Sequence, residues 1–144
     1  PFIARWPGKI AAGTESAHPT AMWDVLPTCL EIAGVSSQPS TDGISYLPTL
    51  LGQPEQQLSH EYLYWTFYER GGKQAVRMGK WKGVRNNVGK APRSTLELYD
   101  LSEDIGEVNN LAQEHPDIVG KLDGFMQEAH TDSPLWSFKG RKKK

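Results

Sequence analysis

Arg77, Lys80, Lys82 and Arg85 fall within the stretch RMGKWKGVR, with Trp81 among them. Cations interleaved with an aromatic ring suit a polyanion, because the charges track its phosphates or sulfates while the ring offers a stacking face. A sulfated glycan or a nucleic acid would fit. The same pattern also describes a solvated strand face with Trp81 packed beneath a helix, and this plainer alternative takes precedence.

Other reactive side chains are few. Cys29 is the single cysteine, which excludes an internal disulfide and a multi-cysteine zinc site. In LPTCLEIAG, helical spacing puts it near Leu26, Leu30 and Ala33, so a small buried apolar residue is expected. A reactive thiol needs a basic or helix N-terminal setting, which the local sequence lacks. His18, His60, His115 and His130 are too scattered for any two to stand at ligand spacing. Asp24 reads as a helix cap and Asp42-Gly43 as a turn, in preference to metal ligands.

The 144 residues carry a formal net charge of −1, with 38% hydrophobic and 10% aromatic residues. That apolar share supports a core, and the near-neutral charge gives no global pull toward nucleic acid or an anionic membrane. Neither a run of about 18 apolar residues nor a charged-then-apolar leader is present, so neither a membrane nor a nucleic-acid partner is expected. The tail KGRKKK reads as a solvated basic end.

The elements that must position these residues divide near residue 55. PFIARW reads as an apolar strand entering a Trp-Pro-Gly turn. AMWDVLPTCLEIAG reads as a helix capped by Asp24, with Pro27 in its first turn and Gly34 ending it. Met22, Leu26, Leu30 and Ala33 form its apolar stripe. Polar, aperiodic GQPEQQLSH marks a boundary. Beyond it, HEYLYWTFYE alternates as a strand, with Leu63, Trp65 and Phe67 on one face and Tyr62, Tyr64, Thr66 and Tyr68 on the other. Strands over 73–78 and 81–86 are joined at Gly79-Lys80, glycine first as a type II′ turn requires. STLELYDL gives a fourth strand. HPDIVGKLDGFMQEAH gives a helix with Pro116 in its first turn and a stripe of Ile118, Leu122, Phe125, Met126 and Ala129. The expectation is therefore α+β: a four-stranded antiparallel sheet covered by a C-terminal helix, preceded by a strand and a helix. The boundaries are 1–55, 56–135 and a basic tail over 136–144. An unpaired strand at residues 1–6 either joins the local sheet or belongs to a sheet whose other strands lie elsewhere, and the second is favoured; pairing across a homodimer is a further option for the same edge.

The ordered succession PFIARWPGKI, WDVLPTCLEIAG, DGISYLPTLLG, EYLYW, AVRMGKWKGV, ELYDLSEDIGEVNNLA and HPDIVGKL resembles the C-terminal third of the formylglycine-dependent sulfatases. The likeness is to arylsulfatases and N-acetylgalactosamine-6-sulfatase-like proteins of the alkaline-phosphatase-like superfamily. It implies that residues 1–55 end a large catalytic domain and that 56–135 form a small C-terminal subdomain. It also implies a parent hydrolase of sulfate esters, periplasmic or secreted, using formylglycine and calcium. Cys29 is followed by LEIA rather than by proline and arginine in register, so it does not match the modified residue. No catalytic or metal residue carries over, and the stretch by itself is expected to be inactive and without a cofactor. Its partners would be the rest of the sulfatase chain and a sulfated carbohydrate. The resemblance points to the loops ERGGK (69–73) and RNNVGKAPR (85–93) as the substrate rim, which adds Lys90 and Arg93 to Arg77, Lys80, Lys82 and Arg85. A stand-alone module for sulfated polysaccharides is the alternative.

Overall fold

The computed structural model describes residues 2–35, 40–90, 94–133, 135 and 138. The chain forms two compact units, residues 1–60 and 61–144.

In the first unit, the one-turn 3-10 helix Met22–Asp24 leads into helix α1 (Val25–Ile32), and α2 (Leu47–Leu50) follows. Gly34, at φ +70°, ends α1 in the left-handed conformation; its amide donates to Glu31 O and that of Val35 to Leu30 O. Among the described residues the sheet lies within 63–100 and residues 2–6 pair with none of its strands, so this segment does not join the local sheet. Two expectations are corrected here. The stripe of α1 does not face inward: Met22 is 81% exposed and Leu26 48%, while Asp24, Pro27 and Thr28 are buried. Cys29 accordingly lies exposed, because it shares the outward side.

Asp24 does more than cap. It occupies the N-cap position of α1 without a capping bond to that helix. Instead Oδ2 accepts from Ala21 N (2.7 Å), while Oδ1 accepts from Ile44 N (3.0 Å) and lies 2.8 Å from His60 Nε2. The polar stretch before β1 is likewise held to this unit: Gln57 Oε1 accepts from Thr49 N and Oγ1, and Gln57 Nε2 donates to Ser45 O. These bonds hold the residues up to His60 to the first unit.

The second unit is an antiparallel sheet in the order β1-β2-β3-β4: Leu63–Phe67, Lys73–Met78, Trp81–Asn86 and Glu97–Asp100. In the hairpin at 79–80, Met78 pairs with Trp81, and Gly79 has φ +55°. One face carries Tyr62, Tyr64, Val76, Met78, Trp81 and Leu98, and helix α3 (Pro116–Ala129) seals it with Leu122 and Met126, both fully buried. The sheet and final helix are those expected from the alternation and the stripe. Gly83 gives α3 room, since a Cβ there would stand 3.1 Å from Leu96 Cδ2 and 3.2 Å from Leu122 Cδ1.

Candidate functional site

In a meander the first and third connections leave the same end of the sheet. The β1–β2 and β3–β4 loops are therefore neighbours, and they are bonded directly: Val88 N donates to Gly72 O (3.1 Å) and Gly89 N to Gly71 O (2.8 Å). Arg70, Gly71, Gly72 and Asn87 all hold positive φ, between 52° and 93°. At Gly72 this is needed twice over, for its φ of +79° and because a Cβ would stand 2.5 Å from Phe138 Cδ1.

A polar chain runs beneath the joined loops. Buried Gln74 donates from Nε2 to Tyr64 Oη (2.8 Å), and Tyr64 Oη lies 3.1 Å from His130 Nδ1. His130 Nε2 in turn lies 3.3 Å from Asp132 Oδ1. Burial holds the Tyr64 hydroxyl above its ordinary pKa, so it remains protonated at neutral pH. Phe138 stacks on His130 (5.4 Å between ring centres) and packs against Tyr68 (4.9 Å). Arg70, Lys73 and Lys90 are exposed around this end. Glu69 is exposed in the same loop and Asp132 beside His130, so the three cations outnumber the nearby carboxylates by one.

The basic set of the sequence is divided. Arg77, Lys80 and Lys82 belong to the other end, at the β2–β3 hairpin. Arg77 Nε donates to Gly79 O (3.1 Å), Lys80 Nζ lies 2.6 Å from Asp100 Oδ2 and 4.9 Å from the Trp81 ring centre, and Lys82 pairs with Glu107. Arg85 bridges Asp123 of α3 (2.5 Å) and Ser94 O (3.0 Å). Trp81 packs into the helix-side core and against His115 (4.9 Å). Lys90 lies exposed beside the joined loops. Arg93 and the tail over 139–144 lie outside the described residues.

Sequence reasoning missed Tyr64, Gln74, His130 and Phe138 as a group, because no periodic pattern links residues so far apart. Counting the strands would have placed the two loops at one end.

The side chains of the described residues do not fit calcium. Among the described residues no three His, Cys, Asp or Glu side chains converge. Both oxygens of Asp24 are taken by Ala21, Ile44 and His60. No described helix is long and apolar enough to cross a membrane.

Residues 1–132 match the profile of the family described as N-sulphoglucosamine sulphohydrolase, C-terminal. Arylsulfatase K of Danio rerio is 28% identical over 133 residues, covering 88% of this chain and 25% of that protein. N-acetylgalactosamine-6-O-sulfatase of Bacteroides thetaiotaomicron is 28% identical over 146 residues, covering 91% of this chain and 27% of that protein. Ps i-CgsB, solved in complex with k-i-k-neocarrahexaose, superposes with a TM-score of 0.73 at 22% identity over 91% of this chain and 29% of that one, which shows the same fold. The chain thus spans about a quarter of the length of the curated relatives it matches.

Proposed function

The chain belongs to the N-sulphoglucosamine sulphohydrolase C-terminal family, and from that premise we propose that it serves as the C-terminal part of a larger hydrolase of sulfate esters, where its joined loops rim the substrate mouth. The substrate class is a sulfated glycan, a reading supported by the relative named N-acetylgalactosamine-6-O-sulfatase. The observation that carries it is the pair of amide bonds from Val88 and Gly89 to Gly72 and Gly71, which joins the two loops into one edge with Lys90 exposed on it.

Within the described part of the basic set, Lys90 is assigned to the substrate. Lys80, Lys82 and Arg85 have acidic partners inside the fold, so displacing them toward a sulfate would cost an existing ion pair. The nucleophile and calcium belong to the preceding polypeptide, and the 144 residues by themselves turn over no sulfate ester. The enzyme would work in the periplasm or outside the cell, where sulfated polymers are met.

The test is steady-state kinetics of the gene product, expressed from its own start codon, on N-acetylgalactosamine 6-sulfate and a chromogenic aryl sulfate. Lys90→Ala should raise KM for the sulfated sugar by about three- to tenfold and leave kcat close to its starting value, as expected for loss of one rim charge. An unchanged KM sinks the rim assignment. Turnover of the aryl sulfate by the 144 residues alone would sink their inertness.

A further inference from the structure

Phe138 lies where three parts of the second unit meet. Its ring packs against Tyr68, at the foot of the β1–β2 loop, with ring centres 4.9 Å apart, and stacks on His130, just past α3, at 5.4 Å. Both joined loops also reach it without a side chain. A Cβ on Gly72 would stand 2.5 Å from Phe138 Cδ1, and one on Gly89 would stand 2.2 Å from the Phe138 carbonyl oxygen. One glycine in each loop thus leaves the room that this residue fills, with the ring toward the first loop and the backbone toward the second.

The bonds between the loops do not hold this arrangement by themselves. Val88 N to Gly72 O and Gly89 N to Gly71 O are backbone bonds at the end of a sheet, where water competes for the same groups and the net gain from each is small. Against that gain stand Arg70 and Asn87, which are not glycines and yet hold φ of 52° and 58°. Such conformations persist only where surrounding contacts impose them. An aromatic residue whose ring packs on one loop while its carbonyl abuts the other is a contact of this kind, because its burial favours the joined pair over the parted one. Gly72 and Val88 are accordingly buried at the junction.

We propose that Phe138 is the positioning residue of the substrate rim: by filling the space at Gly72 and Gly89, it fixes the backbone from which Lys90 meets a sulfate group. The inference rests on the rim reading above. Lys90 follows Gly89 directly, and its amide donates to Asn87 O (3.0 Å), so the turn that presents the ammonium group begins at the contact with Phe138. A phenyl ring has no hydrogen-bond donor to offer a sulfate oxygen. Phe138 therefore acts through the lysine.

The test uses the gene product expressed from its own start codon, with Phe138→Ala, Phe138→Leu, Lys90→Ala and the double variant Phe138→Ala/Lys90→Ala. Hydrogen-exchange mass spectrometry follows the peptide that carries Val88 and Gly89, with peptides of β2 and α3 as the reference for an intact fold. Phe138→Ala should speed exchange at 88–89 by at least about tenfold while the reference peptides keep their protection. On N-acetylgalactosamine 6-sulfate it should raise KM by about three- to tenfold at nearly constant kcat, the signature of lost binding rather than lost chemistry. Phe138→Leu refills most of the space and should recover the larger part of both effects. In the Lys90→Ala background, Phe138→Ala should change KM by less than about twofold, since the group it positions is gone. Unchanged exchange at 88–89 overturns the proposal, as does a KM effect of the same size with and without Lys90. Loss of protection in the reference peptides as well makes Phe138 a general stabiliser and also overturns it. The rim reading fails separately: faster exchange in Phe138→Ala, beside a Lys90→Ala variant of unchanged KM, means that Phe138 holds the loops but that their edge meets no substrate.

Discussion

His60 Nε2 stands 2.8 Å from Oδ1 of Asp24, a carboxylate only 2% exposed, and the two are separated by 36 residues of chain. The same carboxylate accepts from Ala21 N and Ile44 N, so one side chain ties three segments of the first unit. Asp24→Ala leaves two amides and an imidazole without their acceptor and should lower stability by about 2–4 kcal/mol. Asp24→Asn keeps one oxygen and should cost less. Urea denaturation gives the magnitude. Hydrogen exchange at the Ile44 amide gives the site, protected in the parent and fast in Asp24→Ala.

Gly43 is required for space rather than for an unusual φ. A Cβ there would fall 2.3 Å from Trp23 O and 2.9 Å from Pro27 Cγ, and the first of these is backbone that cannot swing aside. Gly43→Ala should therefore force α1 away from the 43–46 segment and cost about 3 kcal/mol, the upper part of the overpacking range. A thermal melt within a degree of the parent would refute this close approach.

How far the sequence revealed this architecture follows from what periodicity measures. Alternation gave β2 and β3 to the residue, because Gly79 fixes the hairpin and every second residue must share a face. The stripe of α3 was legible for the same reason, and Leu122 and Met126 fill the core as it requires. Periodicity says which residues lie together but not whether anything covers them. That is why the line of α1 was visible while its outward direction and the exposure of Cys29 were not. PFIARW has the composition of a strand, but a ladder needs a second chain segment that composition cannot supply. The role of Asp24 depends on Ile44 and His60, and the joined loops depend on backbone groups that every residue carries. Of the basic set, the types were plain in the sequence, but pairing with Asp100, Glu107 and Asp123 is a tertiary fact.

Asp100 provides a pH test. Lys80 Nζ lies 2.6 Å from Oδ2, while Ser102 Oγ and N donate to Oδ1 at 2.5 and 3.0 Å. The lysine first, and the serine second, bring the carboxyl from 3.8 to about 2. A folded-state pKa below the unfolded value means that ionised Asp100 stabilises the fold above pH 3.8, and that this contribution is lost as pH falls from 3.8 to about 2. Lys80→Gln should shift the Asp100 midpoint upward toward 3.8 and remove part of the acid dependence across that window. Carboxyl NMR titration of the two proteins measures the midpoint directly, and identical curves would show that Lys80 is not the cause.

Gly120 and Gly124 sit inside α3, exposed, with nothing within 4 Å of a Cβ built at either position. Glycine in a helix interior loses more backbone freedom on folding than alanine, by about 0.5–1 kcal/mol per site. Since a methyl group meets no neighbour, that entropic difference is the whole effect, and Gly120→Ala and Gly124→Ala should each stabilise by about that amount. The two sites are only one turn apart, but neither added methyl group meets a neighbour, so the two variants share no partner through which to couple and their effects should add within about 0.5 kcal/mol. Differential scanning calorimetry of the single and double variants should show Tm rising by a few degrees, and more in the double. A fall in Tm at either site would mean that something packs closely on that side of α3.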